Sequence, residues 1–212
     1  ALVNDVPLLE RNIKYLQSFG VTEFVINVHH FGEQIVEFLE KNNHFGAKID
    51  ISDEKDELLE TGGGLLFAQK YLENEENFLI MNADILTDLN IHELVKFHEK
   101  HLPLATLAVS DRNSSRKLFF NSEMVLKGWM NKNSGETKMA EFNSDFKELA
   151  FSGIHCINSS IFDKIKRRGK FSIMEEYLDL MFENNILGFQ HEARLIDVGR
   201  PESVIEAEKY FT

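Results

Sequence analysis

The chain has 212 residues, of which 43% are hydrophobic, and its formal net charge is -12. A chain of this size can bury a proper core, and we expect one domain over 1–212. The negative charge argues against a nucleic-acid partner, because phosphate backbones attract basic surfaces. No apolar stretch is long enough to cross a bilayer and no signal-peptide pattern is visible, so we expect a cytoplasmic protein without a membrane partner. Cys156 is the single cysteine, which excludes an internal disulfide.

The first part of the chain alternates helical and strand patterns. Apolar residues at helical spacing between Pro7 and Gly20 predict a first helix. The apolar run 24–28 predicts a strand, and a second helix follows from Gly32. Alternating apolar and polar residues at 49–51 predict another strand. This alternation indicates an α/β fold with a mostly parallel central sheet that is covered by helices on both faces.

A glycine-rich segment follows the second strand, and its residues are Glu60, Thr61, Gly62, Gly63 and Gly64. Three glycines at the start of a helix let the backbone approach a ligand closely, and exposed amides there suit a base, a ribose or a phosphate oxygen. The spacing differs from that of a Walker loop and of a dinucleotide fingerprint. A flexible turn is the alternative interpretation.

The central strand is predicted at 78–81, where a short apolar run precedes Asn82, Ala83 and Asp84. Such a run is typical of a strand that is buried on both faces. Ligands of open α/β sheets bind beyond the carboxyl ends of strands, so Asp84 is placed to hold a cation against a phosphorylated ligand. The alternative is that Asp84 only caps the turn into the next element.

The pattern changes after a strand at 105–109. Apolar pairs on either side of turn residues predict a hairpin-rich insertion at 110–146, which would form a lid or a wall. Arg112, Arg116 and Lys117 could steer an anionic substrate there, although surface solvation is the simpler role for each.

The last third of the chain supplies a second carboxylate. A strand around Gly153 would let another group approach closely, because glycine has no side chain. The apolar stripe at 174–182 predicts a core helix. Asp197 ends a short strand before a terminal helix that begins at Pro201, which makes it a second candidate metal ligand.

Together these motifs resemble a known family, the sugar-1-phosphate nucleotidyltransferases. The motifs are Leu59-Glu60-Thr61-Gly62-Gly63-Gly64, Asn82-Ala83-Asp84, Phe151-Ser152-Gly153-Ile154 and Asp197-Val198-Gly199, followed by Pro201-Glu202. The resemblance implies a Rossmann-like, three-layer nucleotide-diphospho-sugar transferase fold. The first motif is most similar to the N-acetylmuramate-1-phosphate uridylyltransferase branch, whereas guanosine and adenosine branches usually carry Gly in place of Glu60. This similarity favours uridine as the base.

The resemblance also implies a role for each matching residue. Asp84 and Asp197 would form the catalytic pair and together hold Mg²⁺ on the α-phosphate of the nucleotide. Gly153 would offer its backbone to the sugar, and Arg116 would contact a phosphate. The implied nucleotide-binding residues are Glu60, Thr61, Gly62, Gly63 and Asn82, with Glu54 as a further base-reading candidate.

The implied reaction consumes a nucleoside triphosphate, with UTP favoured, and a sugar 1-phosphate. An oxygen of the sugar phosphate would attack the α-phosphorus in line and expel pyrophosphate. Magnesium fits a pair of carboxylates, because it takes one or two of them and fills its octahedron with phosphate oxygens and water. Catalysis would then consist of positioning and charge neutralisation.

One part of the family pattern is absent from the sequence. Members carry a first strand, a Gly-x-Gly-x-Arg-x-x-Pro loop and a Pro-Lys pair ahead of a segment like Ala1-Leu2-Val3. That loop and lysine would supply much of the positive charge for the triphosphate. We therefore expect little turnover from these residues alone, and an exposed sheet edge where the first strand would pair. The sequence leaves a homo-oligomer open.

Two other functions compete with this interpretation. A GT-A-type glycosyltransferase holds its metal with a short motif similar to Asn82-Ala83-Asp84, but the triple glycine and the late Asp197 segment count against it. A non-catalytic nucleotide-sugar-binding module would be compatible with the missing phosphate loop.

Overall fold

The computed structural model describes residues 1–55, 57–141 and 145–211. In these residues the helices are α1 (Leu8–Ser18), α2 (Gly32–Lys41), α3 (Glu60–Phe67), α4 (Gln69–Leu72), α5 (Ile91–His101), α6 (Ile173–Leu180) and α7 (Pro201–Tyr210). The strands are β1 (Leu2–Val3), β2 (Val6–Pro7), β3 (Glu23–Val28), β4 (Lys48–Asp53), β5 (Asn77–Met81), β6 (Ile85–Thr87), β7 (Ala105–Ser110), β8 (Arg116–Phe120), β9 (Leu126–Asn131), β10 (Thr137–Met139), β11 (Lys147–Asn158), β12 (Ile186–Gln190) and β13 (Leu195–Asp197).

The main sheet is organised around the long strand β11, which pairs with β7, β8 and β5 and is antiparallel to all three. Strands β5 and β7 therefore point the same way, and β12 runs parallel to β7. Strands β3 and β4 form a separate parallel pair. The predicted α/β class is confirmed, with a mixed sheet whose antiparallel pairs come from β11 and the hairpin strands.

Helices cover both faces of the sheet and make the fold three-layered. One face packs against α3 and α6 in a core that includes Leu65 and Tyr177. The other face packs against α1 and α5, with Tyr15 and Leu94 as contributors. Along β5 the side chains alternate, so that Ile80 faces the first core and the next residue faces the second.

Strand β5 differs from the prediction of a strand buried on both faces. All five of its residues are only partly buried, and within the described residues its one strand partner is β11. Strand β3 likewise pairs with β4 alone in the described part of the chain. In the described residues, each of these two strands therefore has a strand partner on one edge only.

The insertion at 110–146 contains the predicted hairpins, because β8 pairs with β9 and β9 with β10, all antiparallel. It also extends the main sheet, since β8 pairs with β11. The sequence reasoning missed β12, and it missed the short β1–β2 hairpin ahead of α1. Of the helices in the described residues, none combines the length and the apolar character needed to cross a bilayer.

Candidate active site

Asp84 and Asp197 lie side by side although they are far apart in the sequence. Asp84 follows β5, and Asp197 ends β13, which pairs with β6 so that Asp197 stands opposite Ile85. The Val198 backbone N–H donates to the Asp84 carbonyl oxygen at 2.7 Å. A Cβ placed on Gly199 would lie 3.0 Å from Asp197 Oδ1 and 3.9 Å from Asp84 Oδ2. Both carboxylates therefore converge beside Gly199.

The two carboxylates repel each other. Partial burial, and then the negative charge of Asp197, raise the pKa of Asp84 above its ordinary value. One oxygen of Asp197 accepts a hydrogen bond from the Gly199 N–H at 2.9 Å, which fixes this carboxylate. Both side chains remain exposed. A divalent cation between them would relieve the repulsion.

The donor set fits magnesium better than a metal held by a protein cage. In the described residues no group of three or more His, Cys, Asp and Glu side chains could hold a metal. Two carboxylates with open positions are what Mg²⁺ uses when phosphate oxygens complete its coordination. The pair formed by Asp84 and Asp197 is therefore suited to a metal that arrives with a phosphorylated ligand.

Gly153 lies next to Asn82 because β11 carries a bulge at this point. The strand register shifts between Phe151 and His155, and Gly153 has a φ of +72°. Its carbonyl oxygen accepts from the Asn82 backbone N–H at 2.9 Å. A Cβ at Gly153 would lie 3.1 Å from Asn82 Nδ2 and also 3.1 Å from Ile85 Cγ1. The left-handed backbone and this close approach both require glycine.

A buried polar pair, Ser152 and His191, lies next to the bulge. The Ser152 hydroxyl and His191 Nε2 lie 2.9 Å apart, and the Ser152 side chain is fully buried. Burial lowers the pKa of His191, so its imidazole is neutral near pH 7. Sequence reasoning missed His191 because it missed β12, which ends one residue earlier.

Backbone and side-chain groups of the glycine-rich segment are hydrogen-bonded to another part of the protein. The N–H groups of Gly62 and Gly63 donate to the Phe171 carbonyl oxygen at 2.9 and 3.2 Å. The Thr61 hydroxyl accepts from the Ile173 N–H at 3.0 Å. The prediction that the Gly62 and Gly63 amides are exposed to a ligand is wrong in this conformation. The glycines instead let residues 169–173 pack directly on the start of α3.

Glu60 remains accessible at the same helix start. Its side chain is 46% exposed, and one oxygen lies 3.7 Å from Lys170 Nζ. Its backbone is left-handed, with a φ of +60°, which is costly for a residue with a side chain. Glycine adopts such a conformation freely.

Both carboxylate oxygens of Glu54 form hydrogen bonds that hold the loop before α3. One carboxylate oxygen accepts from Asn27 Nδ2 at 2.9 Å, and the other accepts from the Leu59 N–H at 3.0 Å. The residue is 6% exposed. Because both oxygens are engaged inside the protein, these contacts favour a role in shaping the loop before α3 over reading a base.

The Arg112 side chain contacts β11 two residues before Gly153. Arg116 starts β8 opposite Asn131, and within the described residues its side chain makes no hydrogen bond or ion pair with Asp84, Asp197 or Gly153. Arg112 Nη2 donates to the Phe151 carbonyl oxygen at 2.7 Å. The sequence predicted Arg112 as a cation that could steer an anionic substrate, and it lies two residues beyond the carboxyl end of β7.

A mixed α/β sheet with a carboxylate pair at its carboxyl edge is typical of proteins that bind phosphorylated ligands there. The family model for nucleotidyl transferases matches residues 1–212. The chain belongs to this family, and the predicted sugar-1-phosphate nucleotidyltransferase membership is confirmed.

Individual relatives agree with the family. Mannose-1-phosphate guanyltransferase of Gibberella zeae is 26% identical over 207 residues, which are 94% of this chain and 54% of that protein. The structure of HddC from Yersinia pseudotuberculosis matches with a TM-score of 0.81 at 20% identity, covering 100% of this chain and 88% of that one. A putative glucose-1-phosphate thymidylyltransferase from Bacillus anthracis gives a TM-score of 0.80 at 16% identity, with coverages of 99% and 84%.

The chain spans about half the length of the curated relatives that it matches. Sequence similarity therefore establishes the family, and the structural matches establish the fold. The assignment to the uridylyltransferase branch stays a prediction.

Proposed function

We propose that the protein transfers a nucleoside monophosphate from a nucleoside triphosphate to a sugar 1-phosphate and releases pyrophosphate. The convergence of Asp84 and Asp197 at the carboxyl end of β5, beside the Gly153 bulge, is the observation that carries this proposal. Family membership supports it. The same membership argues against the glycosyltransferase alternative, which would consume a nucleotide sugar and release no pyrophosphate.

In this proposal Asp84 and Asp197 hold the Mg²⁺ ion. When bound, the ion would neutralise phosphate charge and orient the α-phosphate. Asn82 and Gly153 fix the backbone next to the aspartates, so the carboxylates need little rearrangement when the ligand arrives.

The bond changes follow from the chemistry of phosphates. A phosphate oxygen of the sugar ligand forms a bond to the α-phosphorus, and the bond from that phosphorus to the pyrophosphate oxygen breaks. A phosphate monoester is already anionic at neutral pH, because its second pKa is about 6. The chain therefore needs no general base, and its residues act by holding the two anionic ligands in line.

For the base, we place guanosine ahead of uridine. Relatives from Gibberella zeae and Schizosaccharomyces pombe are named guanyltransferases, which outweighs the motif similarity that favoured uridine. The test is to supply GTP and UTP together and to measure which nucleotide is converted into product.

The test is release of pyrophosphate from GTP or UTP with a panel of sugar 1-phosphates, measured on the natural protein. Asp84→Asn and Asp197→Asn should each lower turnover by at least about 100-fold, because each removes a metal ligand. The exposed Asp163→Asn removes the same charge from the surface and should retain activity. Unchanged turnover in both site variants, or absence of pyrophosphate with every substrate pair, would contradict the proposal.

A further inference from the structure

The proposed site joins two anionic ligands to a chain with a net charge of -12. Its two central side chains are themselves negative, so a positive side chain is needed near the phosphates. Arg112 is a cation that the structure brings to this place, through the contact of its Nη2 with the Phe151 carbonyl oxygen. Phe151 precedes Gly153 by two residues on β11, so Arg112 is bonded to the strand close to the Gly153 bulge.

The backbone of Arg112 is held by a second cation. Lys117 is only 7% exposed, and its Nζ donates to the Arg112 carbonyl oxygen at 2.8 Å. The same Nζ lies 3.9 Å from Asp111 Oδ1. A nearly buried lysine that is engaged with the main chain fixes the segment after β7. Arg112 is therefore fixed at both its backbone and its guanidinium, which is how a preorganised anion contact is built.

The Arg112 guanidinium is held at the Phe151 carbonyl oxygen and interacts electrostatically with Asp197. Packing around it lowers the pKa of Arg112, and Asp197 opposes this effect. Arg112 in turn helps to lower the pKa of His191, below the bulge. The side chain stays exposed to solvent, and one Nη2 bond leaves most of its five N–H donors for a ligand.

We propose that Arg112 binds the phosphoryl group attached to the sugar ligand, beside Asp197 and on the Gly153 side of the site. The inference rests on the proposed function and adds a substrate-binding residue to it. A guanidinium suits this task because its planar donors match phosphate oxygens two at a time. Since the contact is with the phosphate of the sugar, Arg112 should affect sugar 1-phosphate far more than the nucleoside triphosphate.

The first experiment measures KM for each substrate in Arg112→Ala, Arg112→Lys and the matched control Lys132→Ala. Lys132 is an exposed cation of the same insertion, 48% accessible, and its ion pair with Glu148 lies on the surface. Arg112→Ala should raise KM for sugar 1-phosphate about 10- to 100-fold, as expected for a lost charged hydrogen bond, and leave KM for the triphosphate within about 2-fold. Arg112→Lys should recover part of the loss, because it keeps the charge but not the fork.

A second measurement separates failure of this inference from failure of the proposed function. The side-chain Nε resonance of Arg112 is followed by NMR while Mg²⁺ and glucose 1-phosphate or mannose 1-phosphate are added, with the free sugar as the control. A shift with the sugar phosphate alone supports the inference even if no nucleotidyl transfer occurs. Normal transfer with unchanged KM values in Arg112→Ala overturns the inference and leaves the function standing. Absence of both the shift and the transfer overturns both.

Discussion

Strands β11 and β3 belong to different sheets and differ in how fully they are paired and buried. β11 has strand partners along both sides, and Leu149, Ile154 and Ile157 on it are at most 3% exposed. β3 pairs with β4 alone in the described residues, and its apolar residues 24–26 are only partly buried. The region around β11 is therefore a fully buried core, whereas the β3–β4 pair has partly exposed hydrophobic side chains and an edge without a strand partner in the described residues.

This difference shows which residues of the candidate site have positions fixed by the backbone. Asp84, Asp197 and Gly153 all belong to elements joined to β11 or β6, where backbone hydrogen bonds set their positions. In the described residues β3 and β5 each have one edge without a strand partner, so the N–H and C=O groups along that edge make no ladder hydrogen bonds.

The largest expected contrast comes from the same truncation made in each region. Ile157→Ala, in the fully buried part of β11, should lower the free energy of unfolding by about 2–5 kcal/mol. Ile26→Ala, on the partly exposed β3, should lower it by about 1 kcal/mol or less. Urea unfolding of both variants measures the difference. An equally large loss for Ile26→Ala would mean that β3 is covered in solution, and the oligomeric state would then be checked by light scattering.

The second prediction concerns the loss of stability at low pH, to which a buried histidine of the β11 region should contribute. His155 is fully enclosed and bonded to the Tyr177 hydroxyl at 2.7 Å, and burial lowers its pKa to about 3. In the unfolded chain the His155 imidazole takes up a proton near pH 6.5, whereas in the folded protein burial prevents this until about pH 3. The free energy of unfolding therefore has its full value above pH 6.5 and decreases as the pH falls towards 3. The slope from this one residue should approach about 1.4 kcal/mol per pH unit.

The measurement is urea unfolding between pH 4 and 7 for the wild type and His155→Gln. The variant removes the titrating group and should show a shallower loss of stability with falling pH, even if it is less stable throughout. His44→Gln, outside this region, serves as the control and should keep the wild-type slope. Parallel pH profiles for His155→Gln and the wild type would contradict the prediction.

The smallest expected effect lies at the border of the two regions, where α3 begins. Glu60→Gly should raise the free energy of unfolding by up to about 1 kcal/mol, because it relieves the left-handed backbone at φ +60°. The exposed pair with Lys170 that is lost would cost only a few tenths of a kcal/mol. Glu60→Ala loses the same pair but keeps the strain, so it should not be stabilised. Thermal unfolding of the two variants distinguishes them, and a destabilised glycine variant would show that the Glu60 side chain supports the fold.

Several features of the fold and site were predictable from local patterns. The apolar runs before Asp84 and before Asp197 predicted two strands that end at carboxylates. Asp197 does end β13, whereas β5 ends at Met81 and Asp84 lies three residues further along the chain. Turn residues predicted the hairpins of the insertion. Strand β12 was missed, and with it His191.

The amino-acid sequence by itself indicated most of the strands and helices, and the two acids that follow apolar strand patterns, because these depend on neighbours along the chain. Only the tertiary structure decided that the Gly62 and Gly63 amides bond to Phe171, that Glu54 is engaged by Asn27, and that Arg112 bonds to the Phe151 carbonyl oxygen. Each of these depends on a hydrogen-bond partner or a charge that is distant in sequence. Local periodicity carries no information about such a partner until the sheet has brought the strands together.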